Sequence, residues 1–353
     1  MQKRWGGVLV ALGLLVTDHA LGWGHTGHIQ ITSMAVRHLP DELPAFLRAA
    51  EAELGELGAE PDISRSTGVI TEGGGYSRFQ TAPTVHDSER DPGHYIDVDQ
   101  DGTILGGTVN LAHLPPTREA YDTAQRLGGQ TQYTAGYLPY TVMDGFQQVR
   151  KDFGIWRVMQ VGLSQARNDA DRAWFARAIA LRERLTLRDI GTWSHYVADA
   201  SQPLHVSIHF NGWGKYPNPN GYTAYAIHGP LEGSFVHRFV NFAVVEAAMT
   251  PPRDCSCPIE QRVPAYLLET LSHVTEVYEA GGAGDRPDLY RTAQPAELAL
   301  VTARLAAGAS ELRDEVVMAW RQSAEIGVGY PVVKVGDVVA GGVVISPVTF
   351  GAD

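Results

Sequence analysis

Between His195 and Glu232 the chain reads HYVADASQPLHVSIHFNGWGKYPNPNGYTAYAIHGPLE. His195 and Asp199 stand four residues apart, His205 follows six later, and His228 and Glu232 repeat the four-residue spacing. On a helix, side chains at i and i+4 stack on one face, so each pair offers an imidazole nitrogen and a carboxylate oxygen to one point. Two such turns brought together can hold a metal ion. Either pair alone is as compatible with a solvated helix face or a hydrogen-bonded core histidine. Two pairs with a third histidine between them, set among the apolar residues Tyr196, Val197, Leu204, Val206, Ile227 and Leu231, predict a metal site that the fold must close around.

Enough chain surrounds this stretch to bury it. The 353 residues, 44% hydrophobic and 19% charged, describe an ordinary globular protein with a sizeable core. The net charge of −12 argues against nonspecific binding of duplex nucleic acid, which needs clustered Lys and Arg. The first residues read as a secretory signal: Lys3 and Arg4, a short apolar run from Trp5 to Val16, and small residues Ala20 and Gly22 before Trp23. The run is short for a transmembrane helix, so cleavage before Trp23 and a secreted or periplasmic location without a membrane anchor are expected. Cys255 and Cys257, the only cysteines, build no disulfide framework and are too few for a structural zinc.

Periodicity and punctuation predict a mainly helical chain. A helix begins near His28, with Thr26 as a possible cap, and runs to Leu39; another covers Leu43 to Leu57. The loop-rich segment Gly58 to Gly93 holds Asp62, and GHYIDVD follows with His94, Asp97 and Asp99. Further helices are expected over Thr117 to Leu127, Leu138 to Gly154, and Ile155 to Asn168 merging into Asp169 to Arg182. Arg184 to Ala200 then carries the first His/Asp pair, and Pro203 breaks the helix before His205. The loop Asn211 to Tyr222 presents Trp213, Tyr216 and Tyr222 either as a substrate rim or as packing against a neighbouring helix. Gly229 to Met249, Ile259 to Glu279 and Pro295 to Ser323 read as helices, and the Val-rich, Gly-interrupted tail from Gly327 as a short hairpin.

Histidines 28, 94, 195, 205 and 228 with carboxylates 62, 199 and 232 are enough for more than one metal site. The motifs in order are WxxxxH at Trp23 and His28, an aspartate at Asp62, HYID at His94 to Asp97, HYVADASQPLH at His195 to His205, and HxxxE at His228 to Glu232. This set resembles the superfamily of zinc-dependent phospholipase C and zinc-dependent single-strand-specific nucleases, from Trp23 to about Met249.

The resemblance implies a mainly helical fold around a cleft holding three zinc ions, here expected as a single domain over residues 23–325, between the signal peptide read over 1–22 and the short β-like tail read over 326–353. It implies one zinc on Asp62, His94, His195 and Asp199, and a second on His205, His228 and Glu232. The third would lie on His28, the bridging Asp199, and the backbone amine and carbonyl of Trp23, whose free amino group exists only after processing. It also implies phosphodiester hydrolysis by metal-activated hydroxide, with Asp62 as ligand, base or both. Glu232 as the last ligand, and NGWGKYPNPNGYT before it, resemble the phospholipase branch; WxxxxH and HYID resemble the nuclease branch. The expected substrate is therefore a phospholipid headgroup, with a single-strand-specific endonuclease and 3'-nucleotidase as the alternative. A non-catalytic zinc-binding protein is the third reading. No stable protein partner is implied.

Overall fold

The computed structural model describes residues 23–64, 86–255, 257–282 and 284–351, with the backbone alone at 86–89. The expected signal peptide and most of the long segment after Asp62 lie outside the described residues.

The fold is mainly α. The early helices are α1 (Gly24–Arg37), α2 (Ala45–Ala49) and α3 (Glu51–Ile63), followed by α4 (Arg118–Leu127) and α5 (Gln132–Ala135). Two long helices come next, α6 (Leu138–Gln165) and α7 (Asp169–Asp199), then the short α8 (Val236–Phe239) and α9 (Phe242–Ala247). After them lie α10 (Ile259–Leu271), α11 (Val274–Glu279), the long α12 (Pro295–Gln322) and the tail helix α13 (Val335–Val339). The only sheet among the described residues pairs β1 (Gly327–Val328) with β2 (Val333–Lys334), antiparallel.

Helices α6 and α7 form the spine, and both run longer than their sequence signals suggest. Gly154 does not divide α6, which continues to Gln165, and α7 runs unbroken from Asp169 to Asp199. Asn168 is the N-cap of α7 rather than the end of an earlier helix: its side chain accepts from Asp171 N at 2.8 Å. Asp169 and Asp171 then sit where the helix dipole favours negative charge.

Helices α1 and α3 pack on each other and on the second half of α7. Close approach of α3 to α7 depends on Gly191, where an added Cβ would overlap Leu57. A buried core including Ile31, Met34, Leu54, Phe146, Phe153, Trp193 and Leu305 fills the space between these helices and α12. The tail is more than a hairpin. Its Val328, Val335, Val338 and Ile345 make a second small core with Val158, Met159, Phe175 and Ile179 of α6 and α7.

Several other boundaries differ from expectation. Thr26 lies inside α1, whose N-cap is Trp23. The expected helix from Leu43 starts at Ala45, is interrupted at Ala50, and extends through Ile63, so Asp62 is in the last turn of α3 and not in a loop. The expected helix from Gly229 to Met249 is a π-helical turn over Pro230–Phe235, then α8, a break after Phe239, and α9. The chain between Ile259 and Glu279 is likewise divided into α10 and α11. No described helix is long and apolar enough to cross a membrane.

Candidate metal centre

All the candidate ligands meet at one buried point where the C-terminal end of α7 is crossed by α1, α3 and the segments around His94 and His228. Three groups can each hold a metal ion: His28, His195 and Asp199; Asp62, His94 and His195; and His205, His228 and Glu232. Asp199 is their hub. Its Oδ1 lies 3.5 Å from His28 Nε2 and 3.6 Å from His205 Nδ1. Its Oδ2 lies 3.2 Å from His94 Nδ1 and 3.3 Å from His195 Nε2. Asp62 faces His195 Nε2 at 3.6 Å, His94 Nδ1 at 3.9 Å and His28 Nε2 at 4.0 Å.

The backbone sets which imidazole nitrogen faces the centre. His195 Nδ1 donates to the Gly58 carbonyl at 2.8 Å, leaving Nε2 for the cluster. His205 Nδ1 donates to the His94 carbonyl at 2.6 Å and turns its Nε2 towards Glu232 Oε1, 3.2 Å away. His228 Nε2 lies 2.5 Å from the same oxygen. The π-helical turn after Gly229 has not disrupted that i,i+4 pairing, because His228 and Glu232 still point to one side.

Trp23 is placed by its indole. Nε1 donates to Ser201 Oγ at 2.7 Å and to the Ala198 carbonyl at 3.0 Å, and the side chain is buried. That anchor brings its backbone nitrogen to 3.1 Å from His28 Nε2. Gly24 follows with a positive φ of 63°, and a Cβ there would stand 2.8 Å from the Glu232 carbonyl oxygen. The start of α1 therefore reaches the Glu232 turn only because residue 24 has no side chain.

The electrostatics are those of a cluster in which lone pairs converge. Burial would raise Asp199, but His195, His205 and His94 outweigh it and hold its carboxyl well below the usual range. The same balance, led by burial and reversed by His195, His94 and His28, lowers Asp62. Burial pulls His28 down to about 3. It also opposes the charge on His195, yet Asp199 and Asp62 prevail and raise that imidazole to about 9. Burial pushes Glu232 up to about 7. Buried atoms of the cluster lack hydrogen-bond partners: both Asp62 carboxylate oxygens, Asp199 Oδ1, His205 Nε2 and Glu232 Oε2. Buried acceptors left this way are costly unless a proton or a cation completes them. Imidazoles and carboxylates in groups of three suit zinc, so the residues present fit the ions expected of them.

Residues near the centre but outside it are also resolved. Asp97 and Asp99 join none of the three groups; Asp99 Oδ1 accepts from Gln100 N in a turn. His209 donates from Nδ1 to the Trp213 carbonyl at 2.8 Å and stacks on the Trp213 ring. Trp213 and Tyr222 are buried against Tyr278, so the aromatic loop is packing, with Tyr216 alone half exposed. Cys255 and Cys257 are joined as a disulfide. Sequence reasoning missed Gly24, the Gly58 carbonyl and Gln202. Only Gln202 carried a signal, as the amide side chain set before Pro203 at the turn into His205.

One side of the centre opens to solvent. A cleft of about 370 Å3 is lined by His94, Asp91, Arg90, Ser64, Arg188 and Tyr196, among others.

Fold and site together define a mainly helical protein with a buried histidine and carboxylate centre able to hold metal ions. No protein-family model matches the chain, and no curated protein matches it. Among solved structures it is similar to the alpha-toxin of Clostridium perfringens from an avian strain, at 12% identity and a TM-score of 0.39, over 88% of this chain and 68% of the toxin chain. The reading of the site stands on its own residues.

Proposed function

We propose that this chain is a zinc-dependent phosphodiester hydrolase with room for three ions. The observation that carries the reading is that two adjacent ligand groups share His195, that Asp199 faces histidines of all three groups, and that buried oxygens of Asp62, Asp199 and Glu232 have no hydrogen-bond partner. Asp62, His94, His195 and Asp199 would hold one ion, His205, His228 and Glu232 a second, and His28, Asp199 and the Trp23 backbone a third. When bound, zinc makes water nucleophilic near neutral pH and neutralises charge developing on a phosphoryl oxygen.

The protein's own groups do the rest. Asp62, ionised and without a hydrogen-bond partner, is placed to accept a proton or to serve as a ligand. The carbonyls of Gly58 and His94 hold His195 and His205 in the tautomer that keeps Nε2 basic. Most ligand side chains are buried, and His94 is the one that also lines the cleft. A purely structural zinc protein would close its ligand shell, whereas here His94 lines an open cleft.

For substrate, the glutamate ending of the ligand set supports a phospholipid headgroup. One structural observation favours the second reading, single-stranded nucleic acid: the cleft offers Tyr196 as an aromatic surface, beside Arg90 and Arg188 that are matched by Glu60 and Asp91. The test is hydrolysis by the chain beginning at Trp23, with metal content measured alongside, on a phosphatidylcholine dispersion and on single-stranded DNA. Turnover of either with about three zinc ions per chain supports the hydrolase reading and assigns the substrate. Three tightly held ions with no turnover of any phosphodiester would leave a structural zinc protein.

A further inference from the structure

Gln202 lies between two ligand-bearing elements and is fully buried. It follows the end of α7, where its backbone N–H donates to the Asp199 carbonyl at 3.0 Å. Its side-chain oxygen accepts from Leu204 N at 2.9 Å and so caps the 3-10 turn Pro203–His205 that delivers His205. That bond decides the orientation of the amide, since only the oxygen can accept from an N–H. The NH2 end is left facing Glu232, and Nε2 donates to Glu232 Oε1 at 2.6 Å. One side chain thus ties the turn that supplies His205 to the carboxylate supplied by the π-helical turn thirty residues further on.

We propose that Gln202 is a positioning residue for the metal held by His205, His228 and Glu232, its amide fixing the rotation of the Glu232 carboxylate. The inference rests on the hydrolase reading for the identity of the ions, but its geometry concerns this one ligand group. A carboxylate on a flexible side chain can turn either oxygen, or neither, towards a metal. With Oε1 held by Gln202, the carboxylate plane is set and that oxygen is kept facing His205 Nε2 and His228 Nε2, the other two donors of the group. Outer hydrogen bonds of this kind tune metal affinity by about 10- to 100-fold.

The competing explanation is that Gln202 only caps the turn. Gln202→Glu separates the two roles in the metal-bound state, because there both carboxyls are ionised and the side chain at 202 still accepts from Leu204 N but has no proton to donate to Glu232. Metal affinities would be measured by chelator competition on the purified chain beginning at Trp23, with His228→Ala identifying the step that belongs to this group. The expected result is that Gln202→Glu weakens that step about 10- to 100-fold and leaves the other two steps unchanged, while the metal-free melting temperature falls because a second carboxyl is buried beside Glu232. Gln202→Met should weaken the same step and lower the metal-free melting temperature as well, since the cap is also lost.

Wild-type affinity at all steps in Gln202→Glu overturns the proposal and leaves the cap as the role of this residue. Tighter binding overturns it too, because residue 202 would then be acting as a ligand. If His228→Ala removes no step from the wild-type titration, the assignment of the ligand group fails and this inference falls with it.

Discussion

Asp199 receives more of the site than any other side chain. Its two oxygens face His28, His94, His195 and His205 within 3.2 to 3.6 Å, and it is completely buried. Asp199→Asn keeps the shape and removes the charge. In the proposed ligand sets that carboxylate would serve two ions, so the variant should lose more than one metal and all hydrolysis, measured as metal per chain and turnover. Retention of the full metal count would end the bridging role. Gln202 sits three residues on in the same buried turn, and its variant is expected to affect one metal only. The pairing of His195 with Asp199 was legible because it is local: i and i+4 meet on any helix. The approach of His94 to the same carboxylate, at 3.2 Å, has no local cause and came only with the packed structure.

Among elements, the contact of α3 with α7 decides whether the group of Asp62, His94 and His195 exists. Asp62 enters from the last turn of α3, and the Gly58 carbonyl one turn earlier orients His195. Both need Gly191 of α7 to be without a side chain beneath Leu57. Gly191→Ala should force the helices apart and destabilise the protein by about 1–3 kcal/mol, the usual range for overpacking a core. It should also weaken metal binding by Asp62 more than by His205, His228 and Glu232. Thermal melts and stepwise metal titration check both parts; uniform weakening of all metals would mean that α3 does not act through Asp62. Helix existence was readable from periodicity, but helix limits were not. Gly154 looks like a break in α6 and is absorbed into it, while the chain after Gly229 looks continuous and forms a π-helical turn. A glycine inside a helix costs only about 1 kcal/mol, so packing along the spine overrides it.

For the molecule as a whole, the pH response couples folding to metal. In the metal-free protein, Asp199 and Asp62 raise His195 to about 9 against the pull of burial. Its proton stabilises the fold fully below about 6.5, the ordinary histidine value, and that contribution is lost as pH rises through about 9. Glu232, pushed up to about 7 by burial, acts in the same direction at lower pH. Ligation requires the neutral imidazole, so metal affinity should rise across the same window. The melting temperature of chelated protein should therefore fall between pH 6.5 and 9 while the gap between loaded and chelated protein widens. A gap that stays constant with pH would remove His195 from the ligand set.

The sequence by itself determined the fold class and the pairing within each i,i+4 motif, since helical period is a property of neighbouring residues; His28, Asp62 and His94 joined the candidate ligands only through the resemblance of the ordered motifs. Only the tertiary structure decided that Asp62 comes from a helix end, that Asp199 is the hub, and that the aromatic loop packs inwards with Trp213 buried. It also decided which backbone carbonyls and which amide hold the ligands in place. The physical reason is range. Spacing along a helix is set by bonds within a few residues, whereas convergence of α1, α3 and α7 depends on side-chain volumes meeting across the core, down to the missing Cβ of Gly24 and Gly191.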